Sequence, residues 1–138
     1  MINNAQAKRL IAQKWEAVRK IERSLSIQPI VPGTGIVDMS APIESYNLPF
    51  VLAYAVLDDV LSQLHDQGEF RCSSREPMLR EKMCASRNIL PWQDYGFVDL
   101  GRKDRNKLAH EAKLVPKPDC IAYVDAIETE LKAWGVLL

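Results

Sequence analysis

Leu48-Pro49-Phe50-Val51-Leu52-Ala53-Tyr54-Ala55-Val56-Leu57-Asp58-Asp59-Val60-Leu61-Ser62-Gln63-Leu64-His65-Asp66-Gln67 reads as one helix, and its composition decides the fold. Pro49 suits a first helical turn, where its missing N–H leaves no hydrogen bond unmade. From Phe50 to Leu57 the apolar residues follow without a break. A helix that is apolar all round is buried on more than one side, so this is the central helix of a bundle, or a dimer helix as well. Gly68 ends it. His65, near its polar end, reads as a C-terminal capping charge. Asp59 falls on the same side as Leu52 and Val56, where a carboxylate is costly without a partner.

Further helices flank this one. Asn3 or Asn4 caps a first helix running to about Ser26, with Ile11, Trp15, Val18 and Leu25 at helical spacing. Its opposite face carries Lys8, Arg9, Lys14, Arg19, Lys20 and Arg23, and a basic face of this kind reads as solvated surface. Pro29, Pro32, Gly33, Gly35 and Pro42 interrupt Gln28 to Tyr46, a loop expected to serve as a lid, an arm on a neighbour or an ordered wrap. Val31-Pro32-Gly33-Thr34-Gly35 lacks the Gly-Lys-Ser/Thr ending of a phosphate-binding loop. Beyond Gly68, Ser73 and Glu76 have the spacing of a capping box that opens a shorter helix, about Arg75 to Asn88. Pro91 or Trp92 starts a fourth helix running to about Ala112. Its internal glycines, Gly96 and Gly101, each cost about 1 kcal/mol against alanine and therefore point to close backbone packing or a bend. A last helix spans Pro118 to Trp134, with Asp119 favourably placed in its first turn and Gly135 at its end. Nothing alternates with period two for long. The expected architecture is all-α, a four- to five-helix up-down bundle forming one domain over residues 1–138.

Composition narrows the function. Hydrophobic residues make up 47% of the 138, which excludes a disordered chain. Eighteen basic side chains balance eighteen acidic ones, so global charge drives no non-specific nucleic-acid binding. Cys72, Cys84 and Cys120 are odd in number and widely spaced, fitting neither a disulfide framework nor a zinc site. No metal or cofactor is expected. Met1-Ile2-Asn3-Asn4-Ala5 lacks the pattern of a secretion signal, and no apolar run approaches the roughly 18 residues a membrane span needs. The expectation is a soluble, cytoplasmic protein with no membrane partner.

Chemistry-bearing residues cluster in one place, Gly101-Arg102-Lys103-Asp104-Arg105-Asn106-Lys107-Leu108-Ala109-His110-Glu111. At about 100° per residue, Asn106 and His110 share a helical face one turn apart, while Arg105 is roughly 140° from His110, so the two groups converge only through the reach of the arginine stem or across a symmetric pair of subunits. Arg105 projects within the apolar stripe of Phe97, Gly101, Leu108 and Ala112. A guanidinium is not neutral at working pH, so either a carboxylate meets it inside or the stripe opens there into a crevice or interface. Asp59 is the expected partner. Arg102 and Lys113 lie with Asn106 and His110 on the adjoining polar face, as candidate phosphate contacts. A cation that neutralises phosphate charge, beside an imidazole that moves protons, suits phosphodiester cleavage.

Arg105-Asn106-Lys107-Leu108-Ala109-His110, followed by one last long helix, resembles the signature of the HEPN superfamily. The likeness covers the motif and the helical layout. It implies a HEPN-like bundle acting as a metal-independent endoribonuclease. Two protomers would share one cleft lined by Arg105 and His110, with Asn106 positioning the imidazole or the phosphate. It also implies a toxin or defence effector restrained by an antitoxin protein. Some toxin members carry a tyrosine two residues after the histidine; Ala112 stands there here, so regulation through that tyrosine does not carry over. Two other readings stay open: a non-catalytic HEPN-like module that binds nucleotide or RNA or docks on a partner, and a structural dimer in which Arg105 is an interface ion pair.

Overall fold

A computed structural model describes residues 2–26, 30–31, 33, 35–36 and 41–138, and these form five α-helices. They are α1 (Ala5–Ser24), α2 (Asn47–Asp66), α3 (Leu79–Ser86), α4 (Tyr95–Glu111) and α5 (Lys117–Ala133). A 3₁₀ turn, Ile43–Tyr46, leads into α2. Two short strands, β1 (Ile30–Val31) and β2 (Gly35–Ile36), pair antiparallel with Ile30 opposite Ile36. Positions 28, 29, 32, 34 and 37–40 of the expected Gln28–Tyr46 loop lie outside the described residues, so its proposed lid, arm or wrap role does too.

α2 is the central element, as its composition implies. Phe50, Ala53, Tyr54, Leu57, Val60, Leu61 and Leu64 are fully buried at a helical repeat, and α1, α3 and α5 pack around them. The remaining apolar face is not sealed: Leu48 and Ala55 are exposed and Val51 and Leu52 half-buried. Side-chain pairs give the helix directions. Asn3 meets Gln67 and Lys14 meets Asp59, so α1 runs antiparallel to α2. Lys117 lies over the Tyr46 ring and Tyr123 packs on Phe50, so α5 runs parallel to α2. Gln93 and Asp94 meet Glu130 while Asp104 meets Tyr123, which makes α4 antiparallel to α5. The four long helices therefore alternate in direction, and the short α3 is tied to α2 through buried Lys82, which reaches Asp58 Oδ1 and Ser62 Oγ at 2.5 Å each.

Helix ends follow local chemistry with three departures, the first being that α4 opens at Tyr95 rather than at Pro91 or Trp92. Asn4 Oδ1 accepts from the N–H groups of Gln6 and Ala7, as an N-cap should. The expected Ser73/Glu76 capping box is absent and α3 begins only at Leu79. Pro77 accounts for this, because the residue before a proline is pushed out of the helical region. Glu81 takes over part of the role by accepting from the Ser74 N–H (3.0 Å). In α4 the buried face is Val98, Gly101 and Arg102. Ala112, expected in the stripe, is exposed in a left-handed conformation (φ 52°), because the helix has already ended at Glu111.

Two carboxylates on α5 organise its neighbours. Glu130 is 1% exposed and accepts from the N–H groups of Gln93 (2.6 Å) and Asp94 (2.7 Å), anchoring the entry to α4. Glu130→Ala would strip both donors of a charged acceptor and is expected to cost about 2 kcal/mol, read as a lowered urea midpoint. Glu130→Gln, which keeps one acceptor oxygen, should cost less. Glu128 accepts from Trp15 Nε1 (2.6 Å) and Arg19 Nε (3.2 Å), tying α1 to α5. Burial alone would raise this carboxyl, but the hydrogen bonds from Arg19 and Trp15 outweigh it and hold it below its ordinary 4.5. A carboxyl lowered on folding stabilises above its unfolded value and loses that contribution as the pH falls through the lowered one. Stability should therefore decline below pH 4.5, and less steeply in Glu128→Gln, as followed by thermal melts across an acid series.

Candidate functional site

The site is built on α4, and Gly101 sets how closely that helix approaches its neighbours. Asp94 Oδ1 caps α4 by accepting from the Phe97 N–H (3.3 Å). One turn on, Tyr54 Oη donates to the Val98 carbonyl at 2.7 Å. Tyr123 Oη donates to Asp104 Oδ2 at 2.7 Å. Burial, and then the Asp104 carboxylate, push the Tyr123 phenol upward, so it remains a donor across the working pH range. Both tyrosines cross the helix at Gly101, where a Cβ would run into Tyr54 Oη and come within 2.7 Å of Tyr123 Cδ1. The close packing that the internal glycines implied is present at Gly101, where it fixes the rotation of α4, but not at Gly96, where a Cβ would meet nothing within 4 Å.

That rotation places the motif. Arg105 lies four residues after Gly101, on the same face, and its guanidinium carbon sits 5.9 Å from the centre of the Tyr54 ring. Its Nη2 donates to Asn106 Oδ1 at 3.1 Å. Among the described residues no carboxylate comes within ion-pair distance of it. The expected partnership with Asp59 is corrected: Asp59 Oδ2 bonds Lys14 Nζ (3.2 Å) and Gln63 Nε2 (3.2 Å). Asp59 is five residues beyond Tyr54 and so about 140° around α2 from the side α4 occupies. Its face is the one that meets α1.

Asn106 is half-buried and His110 exposed. The imidazole makes no hydrogen bond or ion pair with a described residue. Asn106 thus holds the guanidinium on one side and lies one turn from the free imidazole on the other. Arg105 is thus a half-buried, uncompensated cation turned toward Tyr54, and His110 is an accessible imidazole five residues on, about 140° around the same helix.

Arg102 and Lys113 are not gathered with them. Arg102 is only 7% exposed, and its Nε donates to Asp99 Oδ1 at 2.8 Å. Burial alone would raise the Asp99 carboxyl; the bond from Arg102 and the charges of Arg102 and Lys103 outweigh it and hold it below the ordinary carboxylate range. Lys113 lies past the left-handed Ala112, where the chain turns, and lines a small recess with Asp104 and Lys107. That recess is on the Asp104 side of α4, about 120° from His110.

The sequence assigned no role at the site to Tyr54 and Tyr123, which hold the helix, or to Arg80 of α3 and Arg87 just past its end, which line a recess with Arg102 and are exposed. The last pair left a visible signal: Arg80, Cys84 and Arg87 are spaced i, i+4, i+7, one face of a helix. Among the described residues no group of three or more His, Cys, Asp or Glu comes together, and no helix is long and apolar enough to cross a membrane. No protein-family model, curated protein or solved structure matches the chain.

Proposed function

We propose that the chain is a metal-independent endoribonuclease of toxin or defence type, working as a dimer whose protomers line one cleft with Arg105 and His110. The observation that carries the reading is Arg105, a half-buried guanidinium held by Asn106 and the Tyr54 ring with no carboxylate partner among the described residues. A cation left uncompensated at that depth favours an anionic ligand. The free imidazole of His110, about 140° around the same helix, supplies the proton transfer that RNA cleavage needs once a second protomer brings the two kinds of group together. The likeness of Arg105 to His110 to the HEPN motif supports the same class.

In this mechanism a histidine takes the proton from a ribose 2′-hydroxyl. The 2′-oxygen then attacks phosphorus and the 5′-oxygen leaves, taking a proton from a second imidazole. The products are a 2′,3′-cyclic phosphate and a 5′-hydroxyl. Arg105 stabilises the charge that builds on the non-bridging oxygens. One protomer offers a single motif histidine, so the separate base and acid call for a second protomer. The antitoxin belongs to the proposal for a simple reason, that an active ribonuclease inside a cell needs restraint.

The test is incubation of purified protein with single-stranded RNA and DNA of equal sequence in excess chelator. RNA should fragment and DNA should survive, because only RNA carries the attacking hydroxyl. Intact RNA that is nevertheless bound would replace this reading with the non-catalytic binding module, which the uncompensated Arg105 also suits.

A further inference from the structure

A second cationic site lies between α3 and α4. Arg80 and Cys84 from α3, with Arg87 just past its end, face Asp99, Arg102 and Lys103 from α4 across a recess of about 410 Å³. Four cationic side chains thus meet one carboxylate, and Asp99 is already shared: its Oδ1 takes Arg102 Nε and its Oδ2 lies 3.5 Å from Lys103 Nζ. Arg80 and Arg87 form no ion pair with a described residue. The Arg87 guanidinium rests on the face of Tyr95, 4.6 Å from its centre, which orients it without neutralising it.

Arg102 is the decisive member. Its residue is more than nine-tenths buried, yet only Nε has a protein partner. Its two Nη groups bond no described acceptor, and neither is a sealed orphan. A buried guanidinium with unfilled terminal donors, ringed by three more cations, is arranged for a ligand with several oxygen acceptors. Charge selects the ligand class. A carboxylate brings one negative charge, whereas a phosphomonoester brings about −1.5 to −2 at neutral pH and three acceptor oxygens. The recess also falls within the usual size of small-ligand sites.

We propose that this recess binds a phosphomonoester or diphosphate group, with Arg102 gripping it from the interior and Arg80, Arg87 and Lys103 closing on it from the rim. The site does not depend on the chemistry at His110. The same group is carried by a free nucleotide or by the 5′ end of an RNA.

Cys84 lines the recess and is exposed, so it reports occupancy directly. Pyrophosphate is expected to slow alkylation of Cys84 by N-ethylmaleimide severalfold, with Cys72 as an internal control and sodium chloride at matched ionic strength without effect. Calorimetric titration should show pyrophosphate binding about tenfold weaker in Arg80→Gln/Arg87→Gln, and unchanged in His110→Ala. Protection by a mononucleotide identifies a free nucleotide as the source. Protection by 5′-phosphorylated RNA, but by neither the mononucleotide nor the 5′-hydroxyl RNA, identifies an RNA end. Equal protection by chloride, no protection by any phosphate, or full-strength binding in the double variant overturns the site. Absence of RNA cleavage by the unaltered protein would overturn the nuclease reading and leave this site standing, so the two proposals fail separately.

Discussion

His110→Ala is expected to lower RNA cleavage by about a hundredfold or more, the usual share of a general acid–base group. The melting temperature should hardly move. His110 is exposed in the last turn of α4 and bonds no described residue, so its removal empties no cavity and strands no partner. Surface substitutions of that kind stay within about 0.5 kcal/mol. Cleavage is read by following a labelled RNA in chelator, and folding by a thermal melt of the same preparation. Arg105→Ala belongs beside it, since loss of phosphate stabilisation should also suppress cleavage. Its melting temperature is a weaker control, because its guanidinium packs on the Tyr54 ring. Undiminished cleavage by the His110 variant would take that residue out of the chemistry.

Gly101→Ala should produce the largest loss of stability. The added methyl meets Tyr54 Oη and Tyr123 Cδ1, both belonging to buried rings that cannot swing away. Tyr54 Oη is held at 2.7 Å on the Val98 carbonyl, so yielding would cost a buried hydrogen bond as well as packing. Overpacking costs about 1–3 kcal/mol and a stranded buried polar group a further 1–3. A loss of about 3 kcal/mol is therefore expected, against the slight gain that alanine brings to an open helix position. Tyr54→Phe, by removing the hydroxyl, should recover part of the Gly101→Ala loss in a double-mutant cycle from urea unfolding. Strictly additive losses would mean that the Tyr54 hydroxyl is not what excludes the methyl. Because Arg105 rides the same face one turn on, Gly101→Ala should also weaken any activity at the motif.

The helices that α2 and its neighbours form were legible where the signal is local. Asn4 as a cap, the apolar run from Phe50, the stop at Gly68 and the close approach at Gly101 follow from residue chemistry at fixed spacing. Ser73 and Glu76 misled because Pro77 outweighs a capping pattern that spans it. Asp59 misled for a different reason. That it shares a side with Leu52 and Val56 was right, since all three line one groove with α1. Which cation waits there depends on which helix packs on that side, and Lys14 and Arg105 were equally available to a sequence argument.

The amino-acid order by itself determined an all-helical chain with α2 at its centre, and it put Arg105, Asn106 and His110 on one stretch of helix. Helical periodicity and capping act within a few residues, so they are written locally. Only the tertiary structure decided which charges are neutralised: Asp59 by Lys14, Arg102 in part by Asp99, and Arg105 by no described carboxylate. Compensation of a buried charge is a matter of a few ångströms between helices far apart in the chain, and the rotation of α4 that sets those distances comes from two tyrosines closing over Gly101.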